Sequence, residues 1–421
     1  MKNTFTGKLI VSVLLIITVF QIPFAAIAGT DINATPDNPY RPEVNAVSAI
    51  LTDSVRGQIL YGKNIDERLH ISVASKIMTA VVVLLHSNIN DMVTVSKESA
   101  ESEGSTLLLE PGEKYRLEDL VYAIVLRSYN DAAMALAEHT GGSVEKFVTM
   151  MNELAEELGL KDTHFVNPTG LYAEGQYTTA RDLAVLIKYA ISIPEFNRIF
   201  SSRTKIWTGD GNFEIMTNQN MLFWEYESVD GGKTGYNEEE KRTIVTTATK
   251  NGLRLIAILM DSPPEAYYED TKALLNYGFN HFMRDVLVSK GEVFETIRVG
   301  ENEVNLISAS DIYYIHPRGD DYIKNINYTI QESIKLPVTK TQILGTARFE
   351  LDDGTFIEIS LYPDRELKEP ESKMEFFKRT LMEHRDILYL LGALLAVEAL
   401  ILVSKIIKLA YKAFKLLIQK K

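Results

Sequence analysis

The sequence predicts an α/β fold: an antiparallel sheet covered by helices, followed by a small all-β domain and a C-terminal membrane helix. Three observations predict it. β-branched, strand-like runs stand at both ends of the segment 46–285, with helical patterning between them. The segment 290–365 is a series of short alternating runs separated by turn signals. Ile387–Val403 is apolar at every position but Glu398.

In chain order, residues 1–28 have the form of a secretory signal. Lys2 and Lys8 make a basic start, Leu9–Phe20 an apolar core, and Ala26-Ile27-Ala28 a small-residue cleavage site. The alternative is an uncleaved anchor, for which the apolar core is short. Residues 29–45 are a linker, with Pro36, Pro39 and Pro42 in a polar stretch. Val47–Asp53 and Gln58–Tyr61 are predicted strands around a turn at Arg56-Gly57. Ile71–Ala80 opens a helix that runs through Val81–Leu85 and is apolar on nearly all sides, so it is expected to be buried.

Further helices are predicted over Leu117–Leu126, Asp131–Glu138, Phe147–Leu158 and Ala180–Ile191, with a new segment at Pro194. Thr204–Trp207, Thr243–Thr249 and Leu253–Met260 are predicted strands. Asn251-Gly252 between the last two is a hairpin signal. Thr271–Phe282 closes the domain as a helix. In the β-rich block the strands are Val293–Val299, Glu303–Ile307, Ile312–Ile315, Ile326–Ile330, Gly345–Leu351 and Phe356–Leu361, with a turn at Asp352-Asp353-Gly354. Nothing in this block suggests chemistry, and its expected role is a spacer. The span, 387–404, is followed by a basic tail, 405–421, with six lysines. That charge places the tail on the cytoplasmic side. The alternative is an interfacial helix, since Lys405, Lys408, Lys412 and Lys415 recur at helical spacing.

The composition, 46% hydrophobic and 24% charged, is that of folded domains. The chain has no cysteine, and its seven histidines lack ligand spacing, so neither metal nor cofactor is expected. The formal charge of −13 persists despite the lysine-rich tail and argues against nucleic-acid binding.

The chemistry-bearing stretches are three. Ile71–Ala80 reads I-S-V-A-S-K-I-M-T-A and puts hydroxyls near the amine of Lys76 at a helix start. Ser128-Tyr129-Asn130 precedes an alanine-rich helix, and Lys233-Thr234-Gly235 precedes a strand. Each alone is ordinary: a helix cap for Ser128 and Asn130, a turn into a strand for Lys233. In this order they resemble the motif set of penicillin-binding proteins. With L-Y-G-K-N at Leu60–Asn64, L-E-P-G-E-K-Y at Leu109–Tyr115, N-D-A-A-M-A-L-A-E-H at Asn130–His139, F-V-N-P-T-G-L at Phe165–Leu171 and Y-T-T-A-R-D-L-A at Tyr177–Ala184, the chain resembles the serine D-alanyl-D-alanine carboxypeptidases of peptidase family S11 from about Val47 to Pro363.

The resemblance implies a transpeptidase-like domain, as in penicillin-binding proteins and β-lactamases. It implies a membrane-anchored enzyme on the outer face of the cytoplasmic membrane. That enzyme would remove the terminal D-Ala of peptidoglycan stem peptides through a serine acyl-enzyme and bind β-lactams. Lys76 would be the base, helped toward neutrality by burial beside Lys233. Ser128 would relay a proton, Asn130 would hold the substrate amide, and Lys233 and Thr234 the terminal carboxylate. Gly235 would admit the substrate backbone, and Tyr236 N–H, with that of the nucleophile, would form the oxyanion hole.

The family's Ser-x-x-Lys is broken here, because Val73 stands three residues before Lys76. Either Val73 replaces the nucleophile, or Ser75 is the nucleophile after a deletion, or Ser72 serves from four residues away. The first choice makes the chain a pseudo-enzyme that binds peptidoglycan or a protein partner. Two further departures fall in the cleft: Tyr129 in the middle of the Ser-x-Asn stretch, and Glu238-Glu239-Glu240 soon after Lys-Thr-Gly.

Overall fold

The computed structural model describes residues 41–208, 214–236, 241–319, 322–369 and 372–418. The predicted signal, most of the linker and the acidic run at 238–240 lie outside them. The chain divides into two compact units. One holds the residues up to Leu287 with Ile312–Asn325 and Glu350–Phe356; the other holds Val288–Asp311, Ile326–Phe349 and the remainder from Ile357.

The first unit is built on a five-stranded antiparallel sheet. Its strands are β1 (Ser48–Asp53), β2 (Ile59–Lys63), β3 (Val229–Tyr236), β4 (Arg242–Lys250) and β5 (Leu253–Ser262), in the order β2-β1-β5-β4-β3. Both faces are covered, which is why β5 is apolar along most of its length. Leu255, Ala257 and Leu259 pack on one side with Leu274, Leu275 and Phe279 of the helix Tyr267–His281. Ile256, Ile258 and Met260 face the larger cluster on the other side. The β4–β5 hairpin turns at Asn251 (φ 53°) and Gly252 (φ 77°), the left-handed pair that a two-residue hairpin requires.

The larger cluster is centred on α1 (Ser72–His86). Ile77, Met78 and Ala80–Val83 of this helix are fully buried. Around it lie α2 (Leu117–Tyr122), α3 (Asn130–Gly141), α4 (Val144–Glu157) and α5 (Ala180–Ser192). The helix predicted over Leu117–Leu126 changes winding after Tyr122 and continues as a π-turn over Ala123–Arg127. Lys-Thr-Gly, expected to lead into a strand, lies inside one: β3 is an edge strand paired only with β4.

The second unit carries a five-stranded sheet ordered Val293–Val299, Asn302–Ser308, Phe356–Pro363, Gly345–Leu351, Ile323–Ile330. Ile312–Pro317, expected among these strands, instead pairs with Phe282–Val288, a strand the sequence reading missed. Two helices close the chain. Lys373–Glu383, also missed, begins with a capping box formed by Ser372 and Glu375. Arg385–Ile418 then runs unbroken past position 404, where a change from span to tail was expected. It contains no proline, and no glycine after Gly392, so nothing local stops it.

The edge strand β3 sits close to its neighbours because of Gly231 and Gly232. A Cβ on Gly232 would lie 2.2 Å from Asn220 Nδ2, which donates to Thr246 Oγ1 at 2.9 Å. Gly232→Ala is expected to cost about 1–3 kcal/mol, read by urea unfolding of the full chain through Trp207 and Trp224. A loss below about 0.5 kcal/mol would contradict this packing.

Candidate active site

Helix α1 delivers two of its buried polar side chains, Lys76 and Thr79, to one turn. Lys76 Nζ donates to the Thr169 carbonyl and Thr79 Oγ1 to that of Pro168 at 2.8 Å. Three residues separate the two side chains, so they leave the same helix face. The receiving turn is locked from within. Asn167 Oδ1 accepts from Gly170 N (2.7 Å) and Thr169 Oγ1 (3.0 Å), and Asn167 Nδ2 donates to Leu171 O (2.9 Å). Gln176 ties the same turn to Val166 N, Asn167 N and Leu171 O. Burial pushes the Lys76 amine down to about 7.

The π-turn supplies the second part of the site. A helix end leaves carbonyls without amide partners. Here those of Ile124 and Val125 accept from Lys233 Nζ at 2.8 and 3.2 Å. The chain then reverses at Ser128, which has left-handed backbone (φ 63°), and this brings Ser128 Oγ to 2.5 Å from Lys233 Nζ. Lys233 reaches inward from β3 and is 1% exposed. Its pKa is well below the usual lysine value, first because it is buried and second because the charge of Lys76 opposes a second cation. The expected help of Lys233 to Lys76 is thus visible on Lys233, while burial alone accounts for Lys76.

Asn130 opens α3. Its Nδ2 donates to Glu103 O and its backbone N to Ser105 O, both at 2.7 Å, while its buried Oδ1 has no hydrogen-bond partner among the described residues. The residue preceding the helix is Tyr129, with no side-chain cap, so neither Ser128 nor Asn130 acts as one. Tyr129 is buried and its hydroxyl lies 3.4 Å from Arg127 Nε. Thr234 is buried beside Lys233, Gly235 pairs with Thr243, and Tyr236 is exposed at the strand end under the Arg242 guanidinium.

The three positions considered for the nucleophile stand as follows. α1 is continuous, so the register of Val73 against Lys76 is that of the sequence, and Val73 is buried among apolar neighbours. Ser75 is fully buried and its Oγ has no hydrogen-bond partner, so the structure does not bring it to Lys76. Ser72 is the first residue of the helix; its side chain lies outside the described residues. The Thr169 carbonyl and the carbonyls of Ile124 and Val125 were missed in the sequence. They are main-chain atoms with no residue-type signal, although Asn167-Pro168-Thr169-Gly170 was legible as a turn.

A lysine on a buried helix, a Ser-x-Asn reversal and a Lys-Thr-Gly edge strand around one cleft define the penicillin-recognising class of acyl-transfer folds. Comparison with known proteins narrows the class. The family model described as D-alanyl-D-alanine carboxypeptidase matches residues 34–264. The model described as the C-terminal domain of penicillin-binding protein 5 matches residues 282–369. The chain is 32% identical to the Bacillus subtilis D-alanyl-D-alanine carboxypeptidase DacF over 351 residues, covering 80% of this chain and 89% of that one. It is 30% identical to Escherichia coli DacA over 387 residues, covering 88% and 95%. Penicillin-binding protein 5 from Haemophilus influenzae superposes with a TM-score of 0.67 at 29% identity, covering 78% of this chain and 99% of that one. The chain belongs to the D-alanyl-D-alanine carboxypeptidase family, peptidase S11.

The buried amine gives a direct test. By ¹³C NMR of ε-labelled lysine, one resonance, assigned through Lys76→Met, is expected to titrate near pH 7. Because the folded pKa lies below the unfolded value of 10.5, the unfolded chain holds this proton longer. The contribution of Lys76 to stability therefore rises with pH from about 7 to about 10.5. A Lys76 midpoint above about 9 would contradict the described burial.

Proposed function

We propose that the cleft binds the D-alanyl-D-alanine end of peptidoglycan stem peptides with an acylation step impaired at helix α1. The observation that carries this is Val73 in unbroken register three residues before Lys76, in a cleft that otherwise keeps its lysines, Ser128, Asn130 and Thr234. In this reading the terminal carboxylate meets Lys233 and Thr234, and the substrate amide meets the unpaired Asn130 Oδ1. Valine has no nucleophilic atom, so Lys76 has no hydroxyl to activate at that position.

A second reading, a working carboxypeptidase that uses Ser72, is favoured by the helix geometry. At about 100° per residue, Ser72 lies about 40° and Val73 about 60° from Lys76 around the axis, on opposite sides. A lysine amine near pKa 7 is a competent base for the Ser72 hydroxyl.

We also propose export and anchoring by the C-terminal helix. Arg385–Ala413 has 29 residues and contains an 18-residue stretch with a mean hydropathy of 2.4, none of it buried. Its length, about 43 Å, exceeds a hydrocarbon core of about 30 Å. Lys405, Lys408 and Lys412 at its far end favour a cytoplasmic tail and an outward-facing cleft. β-Lactams that mimic the peptide end are expected ligands of the same cleft.

Val73→Ser rebuilds Ser-x-x-Lys. In the full chain it is expected to raise the rate of penicillin acylation by about 10²–10⁴-fold, with the adduct on residue 73 by peptide mapping. A folded variant with an unchanged rate would overturn the reading that the rest of the cleft is intact. An adduct on Ser72 of the unmodified chain would establish the second reading instead.

A further inference from the structure

Ser128 and Lys233, for which the resemblance implies a proton relay and a carboxylate ligand, also form a hydroxyl–amine pair of their own. Ser128 Oγ and Lys233 Nζ are 2.5 Å apart, the contact distance of a nucleophile and its base. Lys233 Nζ has two other partners, the carbonyls of Ile124 and Val125, and both can only accept. A neutral amine has two N–H donors and one lone pair. In the structure Lys233 Nζ donates to both carbonyls and to Ser128 Oγ; once it has lost a proton, the two carbonyls keep the two donors and the lone pair turns to the Ser128 hydroxyl. The pair is thus set for proton transfer from serine to lysine, while the protonated lysine satisfies the same three oxygens. Burial and the nearby charge of Lys76 both act toward the neutral form. Ser128 itself is half-buried and adopts left-handed backbone, uncommon for a residue with a side chain. That backbone turns its hydroxyl back onto Lys233 at the point where the π-turn ends.

We propose that Ser128, with Lys233 as its base, is the nucleophile of a residual acyl-transfer activity in this cleft. The inference rests on the reading that the cleft binds D-alanyl-D-alanine ends and their β-lactam mimics. In the step, Ser128 Oγ bonds to the acyl carbon and the C–N bond of the peptide or β-lactam ring breaks. The hydroxyl proton passes to Lys233 Nζ and from there to the leaving nitrogen. Water then cleaves the Oγ–C ester, giving a carboxylate and restoring Ser128. Lys233 becomes cationic as the acyl carbon is attacked, beside the place where the substrate carboxylate is bound.

The test uses the detergent-solubilised full chain incubated with a large excess of fluorescent penicillin, read by intact mass and peptide mapping. A one-to-one adduct on the peptide bearing Ser128 is expected, reduced at least about tenfold in Ser128→Gly. Glycine accepts the left-handed backbone, so this variant keeps the fold. An adduct on Ser72 would overturn the inference. So would the absence of any adduct in a sample that still binds a D-alanyl-D-alanine-terminated pentapeptide by calorimetry, an outcome that leaves the binding reading standing. Loss of pentapeptide binding with no adduct would overturn both.

Discussion

Lys233 is an amine inside protein, held by oxygens that belong mostly to the main chain. An isolated buried ammonium is costly, so the surroundings must either supply acceptors or favour the neutral form. Here they do both. The change from α to π winding after Tyr122 frees the carbonyls of Ile124 and Val125, and the left-handed Ser128 adds a hydroxyl. Gly231 and Gly232 let β3 pack closely against Thr247, Phe200 and Asn220. The edge strand, the π-turn and the start of α3 are therefore fixed relative to one another by a single side chain.

Lys76 is the counterpart on α1. It too is held by a carbonyl, that of Thr169, in a turn that Asn167 and Gln176 keep in shape. Burial is what pushes the Lys76 amine toward the neutral form, and Lys233 is pushed the same way first by burial and second by the charge of Lys76. In the proposed reading, the two lysines supply the acid–base half of acyl transfer. What changes is the hydroxyl that it would serve. At Val73 there is none, Ser75 faces the core, and Ser128 lies against Lys233.

Much of this was legible in the sequence. The core strands were visible because both faces of the sheet are covered, so Leu255–Met260 is continuously apolar. The hairpin was visible because only Asn-Gly fits its backbone so readily. The three motif stretches pointed to one cleft, and Val73 to its defect. Other features have no residue-type signature. The π-turn begins inside a helical pattern that never breaks, from Leu117 to Leu126. The strand Phe282–Val288 follows a helix with no glycine or proline between them, and Lys-Thr-Gly was read as a lead-in because Gly231-Gly232 resembles a turn. The carbonyls that hold both lysines could not be read from side chains at all.

In the proposed function the cleft recognises a D-alanyl-D-alanine end whatever the fate of its nucleophile. Calorimetric titration of the full chain with a stem pentapeptide and with the tetrapeptide lacking the terminal D-Ala tests it most directly. A charge-assisted contact to the terminal carboxylate is worth about 1.5–3 kcal/mol. The pentapeptide is therefore expected to bind about 10–100-fold more tightly, with the difference abolished by Lys233→Met. Equal affinities for the two peptides would contradict the account.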